Sequence, residues 1–127
     1  MKSLVEAALE ARLNAHAPYS HFLVGAALEA EDGRVFAGCN VENATYGLSV
    51  CAERVAVFKA ISEGARKFRR VAVAADTEVL TPPCGACRQI LWEFCGDIEV
   101  TLTNLQGKTE TLRMKDLFPR PFDDSFL

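Results

Sequence analysis

The sequence has no apolar run long enough to cross a bilayer, and no large excess of charge of one sign. Lysine and arginine number 14 against 17 acidic residues, for a net charge of −3. A basic stripe with interleaved aromatics, as single-stranded nucleic acid requires, is missing. The one basic cluster, Arg66, Lys67, Arg69 and Arg70, falls between an expected helix and an expected strand and reads as a solvated connector. Low-complexity segments and internal repeats are also lacking. Met1 to Glu6 is followed by no apolar h-region, so no secretory signal is expected and cytoplasm is the expected location. Histidine is scarce, with only His16 and His21, both flanking a proline loop.

What is there is half hydrophobic: 50% of 127 residues. That suits one compact domain, residues 1–127, with a real core. Five cysteines, an odd number, occur at positions 39, 51, 84, 87 and 95. With no export signal expected, a disulfide framework is a poor explanation, and metal binding or reactive thiols come first.

Ser3-Leu4-Val5-Glu6 is a capping box, and apolar residues follow at helical spacing to about Ala15. Phe22 to Leu28 and Arg34 to Val41 read as a hairpin turning at Asp32-Gly33. The unbroken apolar character of the first strand predicts cover on both faces. A mostly buried helix is expected from Cys51, with a narrow polar stripe of Lys59, Ser62, Glu63 and Arg66, Val55, Ala56, Phe58 and Ile61 on the rest, and a stop at Gly64. Val71 to Ala75 is a third strand, Cys84 to Cys95 a helix, and Ile98 to Leu102 and Thr109 to Leu112 two further strands. A helical piece at Met114 to Phe118 completes the pattern. This order predicts one mixed five-stranded sheet with helices on both faces.

Both central helices open on a cysteine. Cys84 and Cys87 share the first turn of one helix and can face one point. Cys51 opens the other. If the two helix starts lie side by side, three thiolates converge and leave a fourth tetrahedral position open, as a catalytic zinc site needs. Helix N-termini also favour the thiolate. Glu53, two residues after Cys51, is either a first-turn glutamate facing the helix dipole or a buried acid with a chemical task. Cys51-Ala52-Glu53 with Pro83-Cys84-Gly85-Ala86-Cys87 fits the zinc deaminase pattern in its three-cysteine form. Arg54, one turn along from Cys51, can reach back to a thiolate and offset the negative charge of three sulfurs; Arg88 is the weaker candidate. Asn40 and Glu42 alternate along a strand end and point the same way, which suits a sugar hydroxyl but by itself fits a solvated strand end better.

Three stretches, "APYSHFLVGAAL", "GCNVENATYGLSVCAERVAVFKA" and "PPCGACRQIL", closely resemble the small homotetrameric cytidine deaminases. The resemblance covers nearly the whole chain and implies their three-layer α/β/α fold. It also implies one zinc per subunit on Cys51, Cys84 and Cys87, with Glu53 as the catalytic proton carrier between the attacking water and N3 of the cytosine ring. Asn40 and Glu42 match the residues that hold the ribose 3′-hydroxyl, and Phe22 an aromatic packed on the pyrimidine. The Ala52 N–H would hold the ring carbonyl. Pro82 stands where relatives often carry serine or threonine, and keeps the carbonyl that would accept from the 4-amino group. Tyr46 and Phe122 match residues lent to a neighbouring subunit's site. Implied partners are a small nucleoside and further copies of the chain, with no nucleic acid and no membrane. The implied activity is deamination of cytidine and 2′-deoxycytidine to the uridine forms, in pyrimidine salvage.

Competing readings make distinct demands. A non-catalytic zinc module would take Cys39 as fourth ligand. A thioredoxin-like protein would use Cys84 and Cys87 as a dithiol. An editing enzyme would need a nucleic-acid surface. An antibiotic-nucleoside deaminase is disfavoured by the intact "NVEN" stretch. Cys39, Cys95 and Trp92 are expected to pack.

Overall fold

The computed structural model describes residues 2–127. Five strands form one mixed sheet in the order β2-β1-β3-β4-β5. In chain order the elements are α1 (Leu4–Arg12), β1 (Val24–Ala30), β2 (Val35–Cys39), α2 (Ala52–Ser62), β3 (Phe68–Ala75), α3 (Gly85–Cys95), β4 (Glu99–Thr103), β5 (Thr109–Arg113) and α4 (Met114–Leu117). Short 3-10 turns at Tyr46–Leu48 and Asp124–Phe126 complete the set.

The capping box forms as the sequence predicts: Glu6 N–H donates to Ser3 Oγ at 3.1 Å, and Ser3 N–H donates to Glu6 Oε1 at 3.4 Å. The helix stops earlier than Ala15. Asn14 N–H and Ala15 N–H donate to Ala11 and Arg12 three residues back, so the last turn tightens and ends α1. β1 also starts later than expected. Phe22 and Leu23 lie outside the strand because the Asn40 side chain binds the backbone on either side of Leu23. The amide donates to Phe22 O at 2.7 Å and its oxygen accepts from Val24 N–H at 2.9 Å.

The alternation of a strand assigns each residue to a layer. Val24, Ala26 and Leu28 of β1, with Val71 and Val73 of β3, face α2 and α3 and join Ala56, Val57, Ala60 and Leu91 in the main core. Ala27, Ala72 and Ala74 face α1 and pack on Ala8 with Leu4 and Val5. This is the three-layer arrangement, with β1 covered on both faces as expected. Two glycines let the helices close. A Cβ on Gly25 would lie 2.0 Å from the Ala8 carbonyl oxygen, and one on Gly38 would lie 2.7 Å from Ala56 N.

The topology explains why two helix starts converge. β1 runs antiparallel to both β2 and β3, so β2 and β3 are parallel to each other. β3 and β4 are parallel too. Each parallel step needs a crossover, and α2 and α3 supply the two on the same face. Both helices therefore begin at the carboxyl edge of the sheet, where open α/β folds bind ligands.

One expectation about α2 is corrected. Phe58, placed with its buried face, is 46% exposed in the single chain.

Candidate metal and active site

Cys51 is the N-cap of α2 and Cys84 the N-cap of α3, and neither side chain caps its own helix. Their sulfurs turn instead to each other at 3.9 Å. Cys87, one turn into α3 and fully buried, joins them, so that all three Sγ atoms lie within 4.8 Å of one another. Tetrahedral coordination with Zn–S bonds of about 2.3 Å puts sulfurs ~3.8 Å apart. The three thiols therefore sit close to the spacing zinc needs, with soft donors that favour it.

A further observation fits a metal here. Arg54 Nη2 donates to Cys51 Sγ at 3.4 Å and to Ser49 O at 3.5 Å, while its buried Nε has no partner. A guanidinium left partly unsatisfied beside a thiol cluster suits a site whose ligands carry negative charge. Arg88 points elsewhere: its Nε donates to Pro83 O at 2.8 Å and braces the turn into α3.

Cys39 is not part of the cluster, which among the described residues comprises three cysteines only. It lines a separate groove with Lys59 and residues of α1. The closed four-cysteine module thus lacks its fourth ligand. All five cysteines are free thiols. Cys95 packs against the core, and burial pushes its thiol up to about 12.

The cluster is electrostatically uneven. Hydrogen bonding from Cys87, then the Arg54 guanidinium and Cys84, bring the Cys51 thiol down to about 5. Cys87 moves the other way, because it donates to Cys51 and is buried. Glu53 is 5% exposed. Burial above all, with the charge of Cys51 adding, pushes its carboxyl up to about 7, while its own backbone N–H and Arg54 pull down. A carboxyl near neutrality can both take and give a proton at working pH. Of the two readings open for Glu53 in the sequence, the structure gives the buried acid.

Cys51, Glu53, Arg54 and Cys84 line a cavity of 440 Å³ shared by Phe22, Val24, Asn40, Glu42, Tyr46, Ala52, Thr81 and Pro82. The volume suits a ligand of nucleoside size. Ala52 is the first residue of α2, so its N–H has no intrahelical acceptor. Phe22 is partly exposed at the wall. Asn40 and Glu42 reach the same cavity, as their alternation predicts. Both are already engaged: Asn40 holds the Phe22–Val24 backbone, and Glu42 Oε1 accepts from Tyr19 N–H at 3.0 Å and Ser20 N–H at 3.1 Å.

Tyr46 stands on the rim of its own chain's cavity, 74% exposed, edge-on to Tyr19. Phe122 is remote from it. It stacks on Phe126 beside Arg120 and Pro121. That tail is tied to α3 by Trp92 Nε1 donating to Asp123 at 3.0 Å and Gln89 Nε2 donating to Phe122 O at 2.9 Å. His16 bridges to Val41. His21 is exposed, with φ 59. Neither histidine joins the thiols.

Sequence reasoning missed Ser20. It lines the cavity and its hydroxyl donates to Glu42 Oε2. Its partner is 22 positions away, and no local pattern announces such a bond.

A family profile described as "Cytidine and deoxycytidylate deaminase zinc-binding region" matches residues 1–102. A cytidine deaminase of Sporosarcina psychrophila is 50% identical over 123 residues, covering 96% of this chain and 90% of the relative. One from Halalkalibacterium halodurans is 52% identical over 120 residues, covering 94% and 91%. A crystal structure of cytidine deaminase from Burkholderia pseudomallei superposes with a TM-score of 0.90 at 52% identity, covering 94% of this chain and 96% of that one.

Proposed function

This chain belongs to the cytidine and deoxycytidylate deaminase family, and from that premise we propose that it hydrolyses the 4-amino group of cytidine and 2′-deoxycytidine. The products are the uridine nucleoside and ammonia. The observation that carries the proposal is a buried carboxylic acid, Glu53, beside three converging thiols at the wall of a nucleoside-sized cavity. Cys51, Cys84 and Cys87 hold one zinc per chain. Zinc held there lowers the pKa of water and so supplies a nucleophile at neutral pH.

The chain's own residues do the rest. Glu53 takes a proton from the attacking water and passes it to N3 of the ring, so the ring can accept a new C4–O bond. The carboxylate then takes the remaining proton from the new 4-hydroxyl and delivers it to the 4-amino nitrogen, the C4–O bond becomes a carbonyl as the C4–N bond breaks, and ammonia leaves. Ala52 N–H holds the ring carbonyl, and the Pro82 carbonyl accepts from the amino group and orients it. Phe22 covers the ring. Asn40, with one N–H and one lone pair still free after its two backbone bonds, and Glu42 engage the 3′-hydroxyl. Arg54 offsets the charge of the thiolates.

The same reading extends to assembly and setting. Phe122 lies outside its own chain's cavity, Tyr46 is largely exposed at the rim, and Phe58, Leu48 and Phe126 are uncovered. Such surfaces suit a homotetramer whose sites borrow aromatics from neighbours. Five free cysteines suit the reducing cytoplasm, and pyrimidine salvage is the natural use of the reaction.

The test is direct. Purified protein carrying about one zinc per chain should convert cytidine to uridine with stoichiometric ammonia. Intact cytidine in the presence of bound zinc would refute the substrate assignment.

A further inference from the structure

Glu42 is not a free carboxylate waiting for a sugar. An ionised carboxylate offers about four lone-pair sites. Two are taken on Oε1 by Tyr19 N–H and Ser20 N–H, at 3.0 and 3.1 Å. A third is taken on Oε2 by the Ser20 hydroxyl. One site remains, on Oε2, and it suits a single hydroxyl donor. The serine oxygen also accepts from Phe22 N–H at 3.0 Å. One hydroxyl therefore touches both the acid assigned to the sugar and the backbone of the aromatic assigned to the base.

The backbone is arranged to allow this. His21, between Ser20 and Phe22, is the one non-glycine residue with positive φ among those described, at 59°. Its N–H donates to Ala17 O at 3.0 Å, which closes the loop on itself. A left-handed histidine is a small strain held by its surroundings, and such strain gathers at functional sites. Here it accompanies a bond from the Phe22 amide back to the Ser20 oxygen. Accepted hydrogen bonds, those from Ser20 first, also hold the Glu42 carboxyl below its usual range, so it stays an acceptor.

We infer that Ser20 is a positioning residue for sugar recognition. Its hydroxyl leaves Glu42 a single open acceptor edge towards the 3′-hydroxyl and couples that edge to the aromatic over the base. The inference rests on the nucleoside reading above. Removing the hydroxyl frees a second lone pair on Oε2 for water and lets the carboxylate turn, so the loss falls on substrates that have a 3′-hydroxyl to offer.

The experiment compares kcat/KM for cytidine and for 2′,3′-dideoxycytidine in wild type, Ser20→Ala and Ser20→Thr. In Ser20→Ala the preference for cytidine should fall about tenfold, the effect of losing one hydrogen bond to a charged group, carried mainly by KM. Ser20→Thr keeps the hydroxyl and should restore most of it. On a Glu42→Gln background the Ser20→Ala step should change the preference less than about twofold, because the two act as one unit. An unchanged preference in Ser20→Ala, or an equal fall on the Glu42→Gln background, overturns the inference while leaving the deaminase reading intact. Failure of the wild type to convert cytidine overturns both.

Discussion

Replacing Glu53 by glutamine should abolish turnover and make the metal-free protein more stable, and the second effect can be sized. The carboxyl moves from 4.5 to about 7 on folding, chiefly because it is buried. That displacement corresponds to about 3 kcal/mol against folding once pH exceeds the folded value. In the unfolded chain the proton leaves near 4.5; in the folded chain it is kept to about 7. Between those values the folded state binds more protons, so wild-type stability falls as pH rises through the window. Glutamine has nearly the same shape and no charge, so the variant escapes this loss. In urea unfolding of zinc-free protein, at one fixed chain concentration, the two should match below pH 4.5. They should then diverge to about 3 kcal/mol in favour of Glu53→Gln above pH 7. Cytidine turnover should drop by at least about a hundredfold with zinc still bound, since the proton carrier is gone. A stability gap that does not change with pH would refute the burial argument. A variant with near-normal turnover would refute the assignment of the proton.

Zinc affinity should rise with pH between 6 and 8, because Cys87 keeps its proton well above the usual thiol range whereas Cys51 is already ionised near 5. Calorimetry in buffers of different ionisation enthalpy reads the released proton directly, and a pH-independent affinity speaks against this description of the cluster. Gly25→Ala should destabilise by about 3 kcal/mol or more, since the new methyl group meets the α1 backbone itself. Gly38→Ala pushes on α2 instead and should weaken zinc binding as well, by displacing Cys51 and Glu53. Denaturant midpoints and a chelator competition read the two effects, and losses under about 1 kcal/mol would show that the layers can part without strain.

The chemistry of the site was the legible part, because it is local. Cys84 with Cys87, and Cys51 with Glu53, are each within one helical turn, and the helix starts carry their own sequence signals. That the two starts meet follows from two crossovers on one face, which the sequence left as a condition. The sugar side was half legible. Alternation showed that Asn40 and Glu42 share a direction, but their bonds to Phe22, Val24 and Ser20 span 16 to 22 positions. The same bonds moved the start of β1, where an unbroken apolar run offered no period to mark an edge. Phe58 was misread because an apolar residue at helical spacing does not say whether anything in its own chain covers it.

The two helix starts that converge on the thiols are 33 positions apart in sequence. A zinc held by both closes that stretch of chain as a disulfide would, and closing a loop of this length removes about 4 kcal/mol of freedom from the unfolded chain on the entropic account. Held there, the ion would be a fastener for β3 and its flanking helices as well as a reagent. Metal starvation would then thin out the folded enzyme along with its activity, and a cell short of zinc would lose the protein to its proteases instead of storing it idle.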